Sequence, residues 1–184
     1  MRSITLNPPQ TLNRWMRVYK LYLTAFPRTE RKPFGIIYKM YRKGKMDVWC
    51  LEEKGQFLGI AITINSEKRI LIDYLAVSQK HRGSGVGTSA LHALREKYAG
   101  KGVFLEIESI FDPCKNKEQR LKRRQFYLRC GMTPMHVMVN LFGVKMELLG
   151  FDCRIDYETY YAFYRDNLGT WVTKHIAPGI YPEE

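Results

Sequence analysis

A basic, glycine-rich turn between an apolar run and a helical pattern is the segment of this sequence best suited to bind an anion. The apolar run covers residues 71–77, and the turn that follows consists of Arg82, Gly83, Ser84, Gly85, Val86, Gly87 and Thr88. Glycines let a ligand approach the backbone closely, and the first amide groups of a helix have no partner within the helix. Those amides can point at an anion, and the helix dipole favours negative charge there. The turn, with the positive charge of Arg82, therefore predicts a pyrophosphate site.

Spacing excludes two common phosphate motifs at this turn. The dinucleotide fingerprint requires its third glycine where this chain has Thr88, and the Gly-Lys-Ser/Thr ending of a P-loop is absent. The pattern that remains is Arg82-x-x-Gly85-x-Gly87. A tight strand-to-helix turn that binds nothing is the open alternative, because short glycine motifs often occur by chance.

A second group of residues could supply a proton. Phe126 and Tyr127 stand four to six residues before Gly131 and Met132. A phenol with an ordinary pKa near 10 stays protonated at neutral pH and can act as a proton donor. The alternative is an aromatic pair that packs a helix ending at a C-cap glycine, a role that Gly131 fills by itself.

These two groups resemble two motifs of the GNAT N-acetyltransferase superfamily, in the same order along the chain. Motif A of that superfamily reads Gln/Arg-x-x-Gly-x-Gly/Ala, and a later helix ends in Phe-Tyr-x-x-x-Gly-Phe/Met. The resemblance implies that the turn holds the pyrophosphate of acetyl-CoA and that Tyr127 lies beside the CoA sulfur as the acid. It also implies that the strand end at Leu75, Ala76 and Val77 borders the pantetheine arm.

The general base is less well defined by the sequence. Asp73 shares a strand face with Leu75 by period-two alternation, and Glu108 shares one with Glu106 on the next strand. Asp73 and Glu108 are the predicted proton acceptors. Salt bridges to the surplus cations are the open alternative for each carboxylate, and the superfamily often uses a chain of water molecules instead.

Periodicity and turn residues predict elements that place these groups. The predicted order is one strand, two helices, three strands, a helix, a strand, a helix and two strands. Thr11 is a predicted N-cap, Lys54-Gly55 a predicted hairpin turn, and Asn116 with Gln119 a predicted capping box. The resemblance covers residues 1–150 and implies an α/β (α+β) GNAT fold. This is a mixed, mostly antiparallel, seven-stranded twisted sheet flanked by about four helices.

Residues 151–184 are predicted to be a C-terminal helical extension packed on the same domain. Its tyrosines at 157, 160, 161 and 164 would form a stripe along one side of a helix. Core packing is the favoured role of the stripe. A wall of the acceptor cleft is the alternative.

Length and composition limit the function further. The chain has 184 residues, 45% of them hydrophobic, enough for one core, and a formal net charge of +12 that favours anionic partners. No apolar run is long enough to cross a bilayer, and no signal sequence is apparent, so the predicted location is cytoplasmic. Four scattered cysteines and four histidines suggest no metal site and no disulfide framework.

The sequence thus predicts an N-acetyltransferase, an acyltransferase that uses acetyl-CoA as cosubstrate and an amine-bearing small molecule, peptide or protein as acceptor. The alternative is a non-catalytic acyl-CoA-binding or sensing protein. A less favoured alternative is an RNA-associated protein, which lacks support because the chain has no aromatic RNA-binding signature. No membrane partner is predicted, and the oligomeric state is left open, a homodimer included.

Overall fold

A computed structural model describes residues 2–182 of the chain, which divide into two compact units. Within the described residues, the first unit contains residues 2–65 and 71–99, and the second contains residues 66–70 and 100–182. The described residues form eight strands and six α-helices, so the predicted mixed α/β class is confirmed with one strand more than predicted.

The first unit carries the glycine-rich turn. Its elements are β1 (Thr5–Asn7), α1 (Leu12–Ala25), α2 (Phe34–Arg42), β2 (Met46–Glu53), β3 (Gln56–Asn65), β4 (Arg69–Val77, which begins in the second unit) and α3 (Val86–Lys97). The strand order is β1-β2-β3-β4, and β2 pairs antiparallel with both β1 and β3. Short 3-10 helices cover Arg28–Glu30 and Gln79–His81.

Local sequence accounts for the ends of these elements. The Thr11 side chain accepts a hydrogen bond from the Arg14 amide at 3.3 Å, which confirms the predicted N-cap of α1. Lys54 and Gly55 have φ angles of 49° and 77°, so the predicted hairpin turn is confirmed. Positive φ at both positions matches the right-handed twist of the strands that the turn joins.

The core of the first unit is apolar. Its fully buried side chains come from both helices at the N-terminal end, from the strands and from α3, and they include Val18, Tyr22, Ile37, Val48, Ile60, Ile62, Leu91 and Leu94. Removing such side chains from water provides most of the free energy of folding. This core holds β4 and α3 on either side of the turn.

The second unit carries Tyr127. Its elements are β5 (Gly102–Glu108), α4 (Lys117–Arg129), β6 (Thr133–Leu141), β7 (Val144–Phe151), α5 (Tyr157–Leu168), α6 (Thr170–Thr173) and β8 (Ile176–Gly179). The strand order is β5-β7-β6-β8, with every neighbouring pair antiparallel. None of the helices in residues 2–182 has the length and apolar character to cross a membrane.

Two predictions differ from the structure in the second unit. Residues 176–179 form β8 rather than helix, because β6 offers a strand edge and pairs Leu141 with Ile176. The sequence of β8 does not predict a strand, because the segment has only four residues and includes Pro178. Asn116 precedes α4 as predicted, but its side chain makes no capping hydrogen bond, so the predicted capping box is wrong.

The tyrosine stripe on α5 divides into buried and half-buried members. Tyr160 and Tyr164 are buried, and each hydroxyl lies 2.7 Å from the same carboxylate oxygen of Glu106 on β5. Tyr157 and Tyr161 are half-buried and contact each other, with ring centroids 6.1 Å apart. Core packing is therefore the role of two of the four phenols.

Candidate active site

The glycine-rich turn forces the backbone into conformations that glycine adopts most readily. Gly83 and Gly85 have φ angles of 73° and 80°, where a side chain would strain the backbone. Gly85 is also the N-cap residue of α3. The two glycines turn the chain from the end of β4 directly into a helix.

The first amides of α3 have the arrangement that an anion site requires. The Ser89 amide donates the first bond of the helix to the Gly85 carbonyl at 3.1 Å. The amides of Gly85, Val86 and Gly87 precede that bond, and so they have no acceptor within the helix. Among the described residues, no atom lies within 4 Å of a Cβ built on Gly83 or Gly85. Donors, helix dipole and open space fit a phosphate group.

Arg82 places a positively charged side chain next to the glycine-rich turn. Its side chain is exposed, and its Nε donates a 3.3 Å hydrogen bond to the Val77 carbonyl at the end of β4. The guanidinium group thus stays close to the strand end. Thr88, in the first turn of α3, is the last residue of the predicted group.

Arg2 supports the turn, and nothing in the sequence analysis predicted that role. Its guanidinium donates to the Ser84 hydroxyl at 2.8 Å and forms an ion pair with Glu53 at the end of β2. The hydrogen bonds from Arg2 lower the pKa of Glu53 below its usual range. The contacts join residues more than fifty positions apart, so only the fold reveals them.

Gly59 on β3 is a second residue that the sequence analysis missed. A Cβ built at Gly59 would lie 2.4 Å from the Ala76 carbonyl oxygen and 3.2 Å from the Val77 Cα. The Ser78 amide donates to the Leu58 carbonyl at 2.8 Å, so β3 also holds the chain beyond β4. The sequence did contain an indication of this contact, because a glycine inside a strand often marks a close approach of two backbones.

We expect Gly59→Ala to destabilise the protein by about 1–3 kcal/mol, the usual cost of overpacking a close contact. The clash is with backbone, so β4 must move at Ala76 and Val77. Urea denaturation measures the loss, and acetyl-CoA titration measures the effect on the strand end. Gly35→Ala is the matched control, because α2 leaves that position open and alanine favours a helix. Equal stability of the two variants would contradict the close approach.

The second unit positions Tyr127 through the end of its own helix. Gly131 has a φ angle of 89°, the Met132 amide donates to the Tyr127 carbonyl at 3.2 Å, and the Gly131 amide donates to the Leu128 carbonyl at 2.9 Å. This pair of bonds is the Schellman motif that ends many helices. The glycine and methionine of the sequence motif therefore fix the backbone of the tyrosine itself.

The environment of Tyr127 favours its protonated form. The residue is half-buried, and its ring lies 5.1 Å from that of Phe126. Loss of hydration raises the pKa of the Tyr127 phenol above its ordinary value. A phenol in this state keeps its proton at neutral pH and above, as an acid requires.

A buried ion pair links helix α4 to strand β7. Arg124, one turn before Tyr127, donates from Nε and Nη2 to the carboxylate of Glu147 at 2.7 and 3.0 Å. Glu147 is completely buried on β7, and it also accepts a 2.9 Å hydrogen bond from the Tyr181 hydroxyl. These bonds to Glu147 raise the pKa of Arg124.

The predicted proton acceptors both form ion pairs. Each oxygen of Asp73 accepts a hydrogen bond from Lys32 Nζ, at 2.7 and 2.9 Å, in the first unit. Glu108 accepts from Arg120 at 2.6 Å and from Arg123 at 3.3 Å in the second unit. The salt bridges that the sequence left as an alternative are therefore present. Proton transfer through either carboxylate stays a prediction.

The described residues contain no cluster of three or more histidine, cysteine or acidic side chains placed to hold a metal ion. All four cysteines are free thiols.

Comparison with known families agrees with the geometry of the turn. The profile of the "Acetyltransferase (GNAT) family" matches residues 15–132, which include both the glycine-rich turn and Tyr127. A comparison with curated proteins finds no match.

Solved structures share the fold at low sequence identity. A putative GNAT-family acetyltransferase from Bacteroides thetaiotaomicron has a TM-score of 0.72 and 19% identity, covering 93% of this chain and 98% of its own. A GNAT-family acetyltransferase from Elizabethkingia anophelis with acetyl-CoA bound has a TM-score of 0.58 and 15% identity. The match covers 82% of this chain and 97% of the other. An aminoglycoside 6'-N-acetyltransferase complexed with coenzyme A has a TM-score of 0.64 and 12% identity. The match covers 81% of this chain and 96% of the other.

Proposed function

Since the chain belongs to the GNAT family of acetyltransferases, we propose that it transfers an acetyl group from acetyl-CoA directly to an amine. Acetyl transfer is the activity of the family; the amine acceptor and the residue roles below are the proposal. We keep the cytoplasm as the predicted location. We also propose that residues 1–150 form the acetyltransferase domain, with residues 151–184 as an extension packed on it.

The observation that carries the proposal is the start of α3 directly after the glycine-rich turn. Amides of Gly85, Val86 and Gly87 lie ahead of the first helical bond, and Arg82 adds a cation beside them. This arrangement suits the pyrophosphate of acetyl-CoA, with the remaining residues 83–88 lining the turn. Two of the solved relatives bind acetyl-CoA or coenzyme A, which supports the same ligand here.

Leu75, Ala76 and Val77 continue from the turn along β4, and we propose that they border the pantetheine arm. Ala76 is buried, and Gly59 of the neighbouring strand approaches it closely. Backbone groups of a strand end can bind an amide-containing arm through hydrogen bonds, independently of side-chain type.

We assign Tyr127 as the general acid. Acetyl-CoA supplies the thioester, and transfer forms a C–N bond to the amine and breaks the C–S bond. The phenol gives its proton to the departing thiolate and regains one from solvent. The raised pKa of Tyr127 keeps that proton available.

The amine must lose a proton before or during attack. Asp73 and Glu108 are the candidate acceptors, and the cations beside them compensate their charge. A water chain leading to either carboxylate is consistent with these contacts. Asp73→Asn and Glu108→Gln, assayed separately for turnover and for acetyl-CoA affinity, distinguish the two: the variant that loses turnover and keeps its affinity identifies the acceptor.

Isothermal titration with acetyl-CoA tests the proposal first. We expect binding in the micromolar range, as for many enzymes and their substrates. Arg82→Gln should weaken binding about tenfold, since a charge-assisted phosphate contact is lost. Lys80→Gln, a neutral replacement at an exposed lysine nearby, is the matched control.

Turnover is tested by release of free thiol across a panel of amines. The proposal expects thiol release with at least one acceptor and an acetylated product detected by mass spectrometry. A folded protein that does not bind acetyl-CoA contradicts the cofactor site. Binding without thiol release across the panel supports the non-catalytic alternative instead.

A further inference from the structure

Helix α1 exposes a row of large apolar side chains on the side away from the core. We call Leu12, Met16, Tyr19 and Leu23 the α1 stripe. Their exposed fractions are 76%, 56%, 46% and 41%. Val18 and Tyr22, about a third of a turn around the helix, are buried. A helix that is apolar on two sides usually contacts a second partner through the exposed one.

Helix α2 extends the apolar surface next to the α1 stripe. The Tyr19 and Phe34 rings are 4.9 Å apart, and Trp15 of α1 contacts Tyr38 of α2 at 5.2 Å. Tyr38 is itself 44% exposed. The exposed surface is therefore continuous across two helices.

The spacing of the α1 stripe matches the seam between two packed helices. Its residues follow one another at intervals of four, three and four, the spacing of a and d positions in a heptad repeat. The helix of 14 residues is about 21 Å long, enough for about two heptads of contact.

The charged side chains on α1 and α2 are all positive. The two helices carry Arg14, Arg17, Lys20, Lys39 and Arg42 and contain no aspartate or glutamate. Arg14 forms an ion pair with Glu52, and the other four are exposed. A second copy of this surface would bring like charges together, which opposes self-association.

We propose that the α1 stripe binds an acidic amphipathic helix of a protein partner. The partner would place leucine-like side chains against the α1 stripe and a carboxylate opposite Lys20. Lys20 directly follows Tyr19 and is at an e position of the heptad, where paired helices form ion pairs. The interaction does not depend on acetyl transfer.

The test uses a synthetic, fluorescein-labelled helical peptide of about three heptads, with leucine at a and d and glutamate at the flanking positions. Fluorescence anisotropy at about 0.15 M salt measures its binding. Met16→Glu should weaken binding about tenfold or more, because it places a charge in the seam. Thr24→Glu makes the same charge change at an exposed residue outside the α1 stripe and should leave binding within about twofold. Urea midpoints and acetyl-CoA titration confirm that both variants remain folded.

Each alternative gives a distinct result. Equal binding of a peptide with lysine in place of glutamate would overturn the charge complementarity. No binding of the acidic peptide, or equal effects of Met16→Glu and Thr24→Glu, would overturn the site. Concentration-dependent dimerisation in sedimentation that Met16→Glu abolishes would assign the surface to a second copy. Binding to phosphatidylserine-containing vesicles without binding to the peptide would assign it to a lipid surface.

Discussion

Tyr127→Phe should lower turnover by about 10²–10⁴-fold, the usual contribution of a positioned general acid. The variant loses one hydroxyl and keeps the ring, which lies 5.1 Å from Phe126. The Schellman bonds that end α4 involve only backbone, so the helix should keep its conformation. Acetyl-CoA affinity should therefore stay within about twofold, since the amides that we propose bind the pyrophosphate belong to α3.

Thiol release with the best acceptor of the amine panel, together with titration calorimetry, measures both quantities. Tyr161→Phe is the matched control, because it removes the hydroxyl of another half-buried tyrosine. Equal turnover of Tyr127→Phe and the unaltered protein would reject the assignment of the acid.

The pH dependence of the unaltered enzyme provides a second measure of the same role. Burial raises the pKa of Tyr127 above the ordinary value. An acid is active in its protonated form, so the rate should fall only as pH rises through that raised pKa, above about 10. A fall that begins near neutral pH would identify a different acid.

Glu147→Gln should destabilise the protein by about 3–5 kcal/mol, the cost of leaving one partner of a buried ion pair without the other. Glu147 is fully buried and accepts two bonds from Arg124 and one from Tyr181. The amide that replaces the carboxylate has no charge and one acceptor oxygen fewer. The guanidinium is then left largely buried without a counter-charge.

Urea denaturation monitored by circular dichroism gives the free energy of unfolding, and an unchanged slope shows that the transition is comparable. Glu118→Gln is the matched control: its pair with Lys122 is largely exposed, and we expect a loss below about 0.5 kcal/mol. Equal losses in the two variants would show that burial of the Glu147 pair contributes nothing.

Residues close together in the sequence made several parts of the site predictable. Gly83 and Gly85 need positive φ, and Gly131 ends α4 in a Schellman motif, and each of these conformations depends on a few adjacent residues. The N-cap at Thr11 and the hairpin at Lys54 are of the same kind. For this reason the turn, the helix that carries Tyr127 and the element order could be identified before the structure was known.

Other parts of the fold depend on contacts that local sequence does not encode. Strand β8 contains Pro178 and forms because the edge of β6 is open to it. Asn116 has the residue type of an N-cap, yet its side chain does not cap α4. An N-cap preference is worth only about 1 kcal/mol, so the surrounding structure can outweigh it.

The sequence by itself determined the glycine-rich turn, the position of Tyr127 at a helix end and the family, because these follow from backbone conformations set within a few residues. The tertiary structure alone decided the partners of each carboxylate: Lys32 for Asp73, arginines for Glu108, and two phenols for Glu106. It also decided that Gly59 must be small and that Arg2 supports Ser84. The physical reason is that ion pairs and close contacts depend on distances in space between residues far apart in the chain.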